Sequence, residues 1–156
     1  MKKYELTGDV KLLFGRTLHR IKALIDIEVM NVKAGDLGGY VESEKNLSHD
    51  GNAWVYGNAE VCGDAKVYGN AKVYGNAEVC GNADYTTIKG FGTCFRTTTF
   101  FRCKDKLVRV TCGCFYGTIP EFREQVTRTR KGKVAEEYLL IADLMEKHFD
   151  VGVNND

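Results

Sequence analysis

Between Gly51 and Thr86 apolar and polar positions recur with a period of six, as GNAWVY, GNAEVC, GDAKVY, GNAKVY, GNAEVC and GNADYT. Alanine returns at Ala53, Ala59, Ala65, Ala71, Ala77 and Ala83. Valine follows two places later at Val55, Val61, Val67, Val73 and Val79, with Tyr85 in the last such place. Residues two apart lie on one face of a strand, so Ala and Val share a face. Gly-Asn, or Gly63-Asp64, interrupts each strand, because these residues tolerate a left-handed corner. A short fixed period signals one small unit stacked on itself. The pattern predicts a coil of short strands around a narrow apolar bore.

The flanks carry other periods. Tyr4 to Thr7 predicts a strand, Gly15-Arg16-Thr17 a turn, and the alternation from Leu18 to Leu24 a second, half-buried strand. Gly35 to Gly39 reads as a loop, and Leu47 falls in register with the inward alanines. Phe91 to Phe115 predicts a hairpin turning at Lys104-Asp105-Lys106. In that hairpin Arg96, Thr98, Phe100, Arg102 and Arg109 are expected on one face. Thr118-Ile119-Pro120-Glu121 is a capping box, with Phe122 and Val126 as the buried stripe of the helix it opens and Gly132 as its end. Val134, Tyr138, Ile141, Met145 and Phe149 give a second helix its core stripe, broadened by Leu140 and Leu144. The expected organisation is 1–50, strands and a cap; 51–90, the repeats; and 91–156, a hairpin with two helices.

Folding the repeats on a spacing of 18 gives three outer faces. Trp54 and Tyr56 lie below Lys72 and Tyr74; Glu60 and Cys62 below Glu78 and Cys80; Lys66 and Tyr68 below Asp84 and Thr86. The stacked Trp54, Tyr56 and Tyr74 form an apolar patch that a monomer seldom leaves bare. A neighbouring subunit or the C-terminal hairpin would cover it, or it would wall a ligand pocket. Stacked aromatics suit a flat base, and Arg96, Arg102 and Arg109 suit phosphate. The plain alternative for the arginines is a solvated strand face.

Charge narrows the partners. Lys plus Arg is 22 against 21 for Asp plus Glu, a net of +1, which argues against wholesale coating of nucleic acid. No segment has the roughly 20 apolar residues of a membrane span. The start, with basic residues but no apolar run behind them, does not read as a secretory signal. A cytoplasmic protein is expected, and six cysteines without a C-x-x-C pair read as free thiols acting as small hydrophobes. No cofactor and no metal are expected.

The inward Val with a small residue two before it resembles the left-handed parallel β-helix of hexapeptide-repeat proteins. That resemblance implies three hexapeptides per coil, hence about two coils, a core about 10 Å tall and a trimer. Gly38, Gly39, Tyr40, Val41, Asn46, Leu47 and Ser48 are similar to the N-terminal cap of hexapeptide-repeat proteins of phages and prophages. The segment CGCFYGTIPEFREQV with EEYLLIADLMEKHF resembles a tail module of phage repeat proteins. The expected fold is therefore mainly β with C-terminal α: a short left-handed parallel β-helix, N-terminal cap strands, a β-hairpin and two helices.

Most hexapeptide-repeat proteins are acyltransferases with a histidine base. Of His19, His49 and His148, only His49, beside Asp50 at the start of the repeats, is a candidate base. His19 falls on a strand, and His148 at a helix end, where a cation suits the dipole. A three-histidine zinc site has no counterpart here, nor does a threonine ladder. The favoured expectation is a non-catalytic phage-type binding protein. It would sequester a small phosphorylated or nucleotide-derived ligand, with a host antiviral defence signal as one example, in the host cytoplasm if phage-encoded. The ligand-binding set is Arg96, Arg102, Arg109, Trp54, Tyr56 and Tyr74. The alternatives are a minimal acyltransferase using His49, and a structural or protein-binding module that blocks a host enzyme.

Overall fold

The computed structural model describes residues 2–150. Strands β1 (Tyr4–Leu13) and β2 (Arg16–Ala23) pair antiparallel and turn at Phe14-Gly15. Both turn residues have positive φ, 51° and 77°, a two-residue geometry whose twist matches that of the strands. Strand β3 (Leu37–Val41) runs antiparallel to β2, so the Gly-rich stretch expected as a loop is partly strand. Its glycines serve close approach: a Cβ on Gly38 would lie 2.7 Å from the Val55 carbonyl oxygen, and one on Gly39 2.5 Å from that of Ala59.

The repeats supply four strands of two residues each: β4 (Trp54–Val55), β5 (Glu60–Val61), β6 (Lys72–Val73) and β7 (Glu78–Val79). β5 pairs parallel with β3 and with β7, extending the N-terminal sheet to the order β1-β2-β3-β5-β7. β4 and β6 form a separate parallel pair. The spacing of 18 holds, with Trp54 opposite Lys72 and Glu60 opposite Glu78. The inward alanines from Ala53 to Ala77 and valines from Val55 to Val79 are at most 1% exposed.

The expected left-handed parallel β-helix is nevertheless corrected. Among the described residues the molecule is mixed, with eleven strands in three separate sheets (one mixed, one a parallel pair, one antiparallel) and two C-terminal helices. Two-residue strands are too short to dominate a sheet, and the long N-terminal hairpin organises the first one. On the third outer face only a single parallel bridge, Leu47 with Val67, is made. The sixth unit leaves the pattern altogether. Gly81 is extended where the glycines from Gly51 to Gly75 that open the first five units are left-handed, Asn82–Asp84 form a 3-10 turn, and Ala83 is exposed.

The C-terminal part is a four-stranded antiparallel sheet rather than a lone hairpin. Strands β8 (Tyr85–Phe91), β9 (Arg96–Arg102), β10 (Val108–Cys112) and β11 (Phe115–Thr118) follow the order β11-β10-β9-β8. One face, with Phe100 and Val110, packs under the helices; the other, with Phe101 and Cys103, joins the core of the repeats. Two hydrogen bonds tie the sheet to β6. The Lys72 amide donates to Thr99 Oγ1 at 3.0 Å, and Thr111 Oγ1 donates to the Lys72 carbonyl at 2.8 Å.

Helix α1 (Ile119–Thr129) starts with the expected capping box of Thr118 and Glu121. Gly132 does not end it; Arg130 caps α1, and Gly132 opens α2 (Gly132–His148). Phe122, Val126, Tyr138, Ile141, Met145 and Phe149 are buried as the stripes predict. Leu140 and Leu144 are 66% and 55% exposed, so the second stripe is narrower than expected.

Candidate functional site

The docking of the sheet on β6 leaves a cleft of about 340 Å³ between repeats and sheet, at the lower end of the range for small-molecule sites. The repeats contribute Asn52, Asn70 and Lys72, and the sheet Lys89, Arg96, Thr97 and Thr111. Asn52 and Asn70 are corner residues one spacing of 18 apart, and the Asn52 amide donates to Asn70 Oδ1 at 3.2 Å. The Lys72 ammonium lies 5.5 Å and 5.9 Å from the ring centroids of Tyr56 and Tyr74. Met30, with the exposed Val29 and Phe95, adds an apolar rim.

The electrostatics are one-sided. Among the described residues no carboxylate lines the cleft, and Lys72, Lys89 and Arg96 form no ion pair. Three cations around one partly desolvated space repel one another unless an anion enters. Arg96 also touches Cys94. The Thr93 hydroxyl and the Arg96 guanidinium hold the Cys94 thiol below its usual range.

Of the six residues expected to bind ligand, only Arg96 lines this cleft. The expectation that the three arginines share a face is corrected by the register. Arg109 pairs with Phe101 and shares its face toward the repeats, while Arg102 projects to the opposite side and Arg96, at the start of β9, borders the spaces on both sides. Nor do all three lack acidic partners. Arg109 meets Asp105 at 2.8 Å, and Arg102 meets Asp84 at 3.3 Å and donates to the Phe149 carbonyl at 2.9 Å. The cleft's Lys72, Lys89 and Thr111 were not singled out. The legible signal was Lys72 on the outer face above Trp54, in a repeat unit without an acid.

The aromatic face is covered by the chain itself. Trp54 is 1% exposed with Tyr4 edge-on at 6.4 Å, and the Tyr56 hydroxyl donates to the Met30 carbonyl at 2.7 Å. Tyr74 remains 39% exposed, between Tyr56 and Tyr116. Trp54 and Tyr56 thus need no neighbouring subunit to cover them.

His49 is fully engaged. Its Nδ1 accepts the Lys3 backbone N–H at 3.1 Å, its Nε2 lies 3.0 Å from Glu44, and its ring stacks on Tyr4 at 4.3 Å. Nδ1 accepting requires the proton on Nε2, so no ring lone pair is open to a substrate. His19 Nδ1 contacts the Thr7 carbonyl at 3.3 Å, and His148 ends α2. Cys62 and Cys80 stack as the spacing predicts, sulfur to sulfur at 2.9 Å, and all six cysteines are free. Burial and the neighbouring thiol push Cys62 up to about 12. Among the described residues no group of three His, Cys, Asp or Glu side chains could hold a metal ion, and no helix is long and apolar enough to cross a membrane. No protein-family model matches the chain, and no curated protein matches it.

Proposed function

We propose that this chain is a binding protein for a small phosphorylated ligand of nucleotide size, held in the cleft between β6 and the C-terminal sheet. The observation that carries the reading is the convergence of Lys72, Lys89 and Arg96 on a cleft that, among the described residues, no carboxylate lines. Arg96 offers a planar fork for two phosphate oxygens, and the lysines act as point charges. The side-chain amides of Asn52 and Asn70 suit the edge of a base or a sugar hydroxyl, and Phe95 at the rim offers a face for stacking. Capture without turnover fits better than acyl transfer, since both nitrogens of His49 are occupied. Sequestration of a host signalling nucleotide is the setting that the phage-like resemblance suggests.

The test is calorimetric titration of the chain with linear and cyclic mono- and dinucleotides. Lys72→Gln, Lys89→Gln and Arg96→Gln should each weaken binding ten- to a hundredfold, the equivalent of about 1.5–3 kcal/mol per charge-assisted contact. If no nucleotide binds the parent, or if all three variants bind as tightly, the cleft is not a phosphate site.

A further inference from the structure

Behind Arg96, on the helix side of the C-terminal sheet, lies a second cavity of about 210 Å³. Arg96, Cys112, Phe122, Arg130 and Tyr138 are among the residues around it. Tyr138 is 1% exposed, and among the described residues its hydroxyl has no hydrogen-bond partner. The neighbouring Cys112 thiol is a weak partner, already engaged by the Thr98 hydroxyl at 3.3 Å. A buried hydroxyl left unpaired is costly, and native structures rarely keep one without a reason.

Two glycines clear space for the polar groups here. A Cβ on Gly92 would lie 2.5 Å from the Tyr138 hydroxyl, and one on Gly113 would overlap the Arg96 guanidinium. Arg130, the residue that caps α1, brings a second guanidinium to the wall. Neither arginine forms an ion pair among the described residues. The cavity thus holds two uncompensated positive charges and one idle hydrogen-bond donor. Water would pair the hydroxyl but leave both charges unmatched. At roughly 30 Å³ per water, the volume admits one tetrahedral anion with a few waters.

We propose that this cavity is a second binding site, for one compact inorganic oxyanion of the phosphate class, with the Tyr138 hydroxyl as donor and Arg96 and Arg130 as countercharges. Burial keeps the Tyr138 phenol above its usual range, so it stays a donor at neutral pH. The site is independent of the nucleotide reading of the cleft, although Arg96 borders both spaces.

The experiment is calorimetric titration of the full chain with inorganic phosphate, with thermal melts alongside. Tyr138→Phe and Arg130→Gln should each bind phosphate at least tenfold more weakly than the parent. Lys72→Gln and Lys89→Gln, which line only the cleft, should bind it unchanged. Without phosphate, Tyr138→Phe should melt at or above the parent temperature, since it removes only an unpaired hydroxyl. Failure of the parent to bind phosphate, or parental affinity in Tyr138→Phe, overturns the proposal. Equal losses in the lysine variants also overturn it, by placing the anion in the cleft. None of these outcomes bears on whether a nucleotide binds the cleft.

Discussion

Cys94 and Cys62 carry one side chain in opposite settings. Cys94 is exposed, with its thiol held down by Thr93 and Arg96, whereas Cys62 is buried against Cys80 and pushed up to about 12. Alkylation at pH 8 should therefore modify Cys94 first and leave Cys62 and Cys80 intact until the chain unfolds. Peptide mass mapping over time checks this, and early labelling of Cys62 would contradict its burial. Single residues were legible where a period fixed their direction, as for Ala53 and Val55. They were illegible where a long-range partner decides. His49 beside Asp50 read as a base because its partners, the Lys3 amide and Glu44, cannot be located from neighbours in the chain. The arginine trio failed for a related reason. The face of Arg109 depends on Arg102 pairing with Val108, which the turn between them sets and alternation alone does not.

At the scale of elements, β3 is the strand that joins the N-terminal hairpin to the repeats, and it depends on two glycines. Gly39→Ala would press a Cβ onto the Ala59 carbonyl, a backbone atom that cannot swing aside. A loss of about 1–3 kcal/mol is expected, with a fall of several degrees in Tm by circular dichroism. Gly8→Ala, in the hairpin with nothing within 4 Å, should melt like the parent. A Gly39→Ala variant as stable as the parent would mean that β3 does not approach the repeats this closely. The helices were legible in sequence because a capping box and a helical stripe are local signals. The sheets were not. Two-residue strands take their partners from whatever flanks them, and β8 and β11 were hidden in the end of the repeats and the run-in to α1.

Seen whole, the C-terminal sheet is an apolar layer between two cores, with Phe101 facing the repeats and Phe100 facing the helices. Its buried side chains hold the layers together, while the end of the sheet around Arg96, at the start of β9, opens toward both neighbours. The basic cleft was legible in sequence only as far as Arg96 and the outward position of Lys72, because the space itself exists only once the sheet docks on β6. On the two readings proposed above, a guanidinium standing in the partition between two cavities would make their occupants antagonists. An anion on one side spends part of the field that the other side would use, so each occupant should loosen the other by one common factor. Saturating phosphate should raise the nucleotide Kd of the parent by about fivefold or more, the lower end of such couplings. In Tyr138→Phe that effect should vanish while nucleotide affinity without phosphate stays parental. Antagonism that persists in Tyr138→Phe would mean simple competition within the cleft. On those readings the chain would hold its ligand less tightly as free phosphate rises, up to the limit set by that factor.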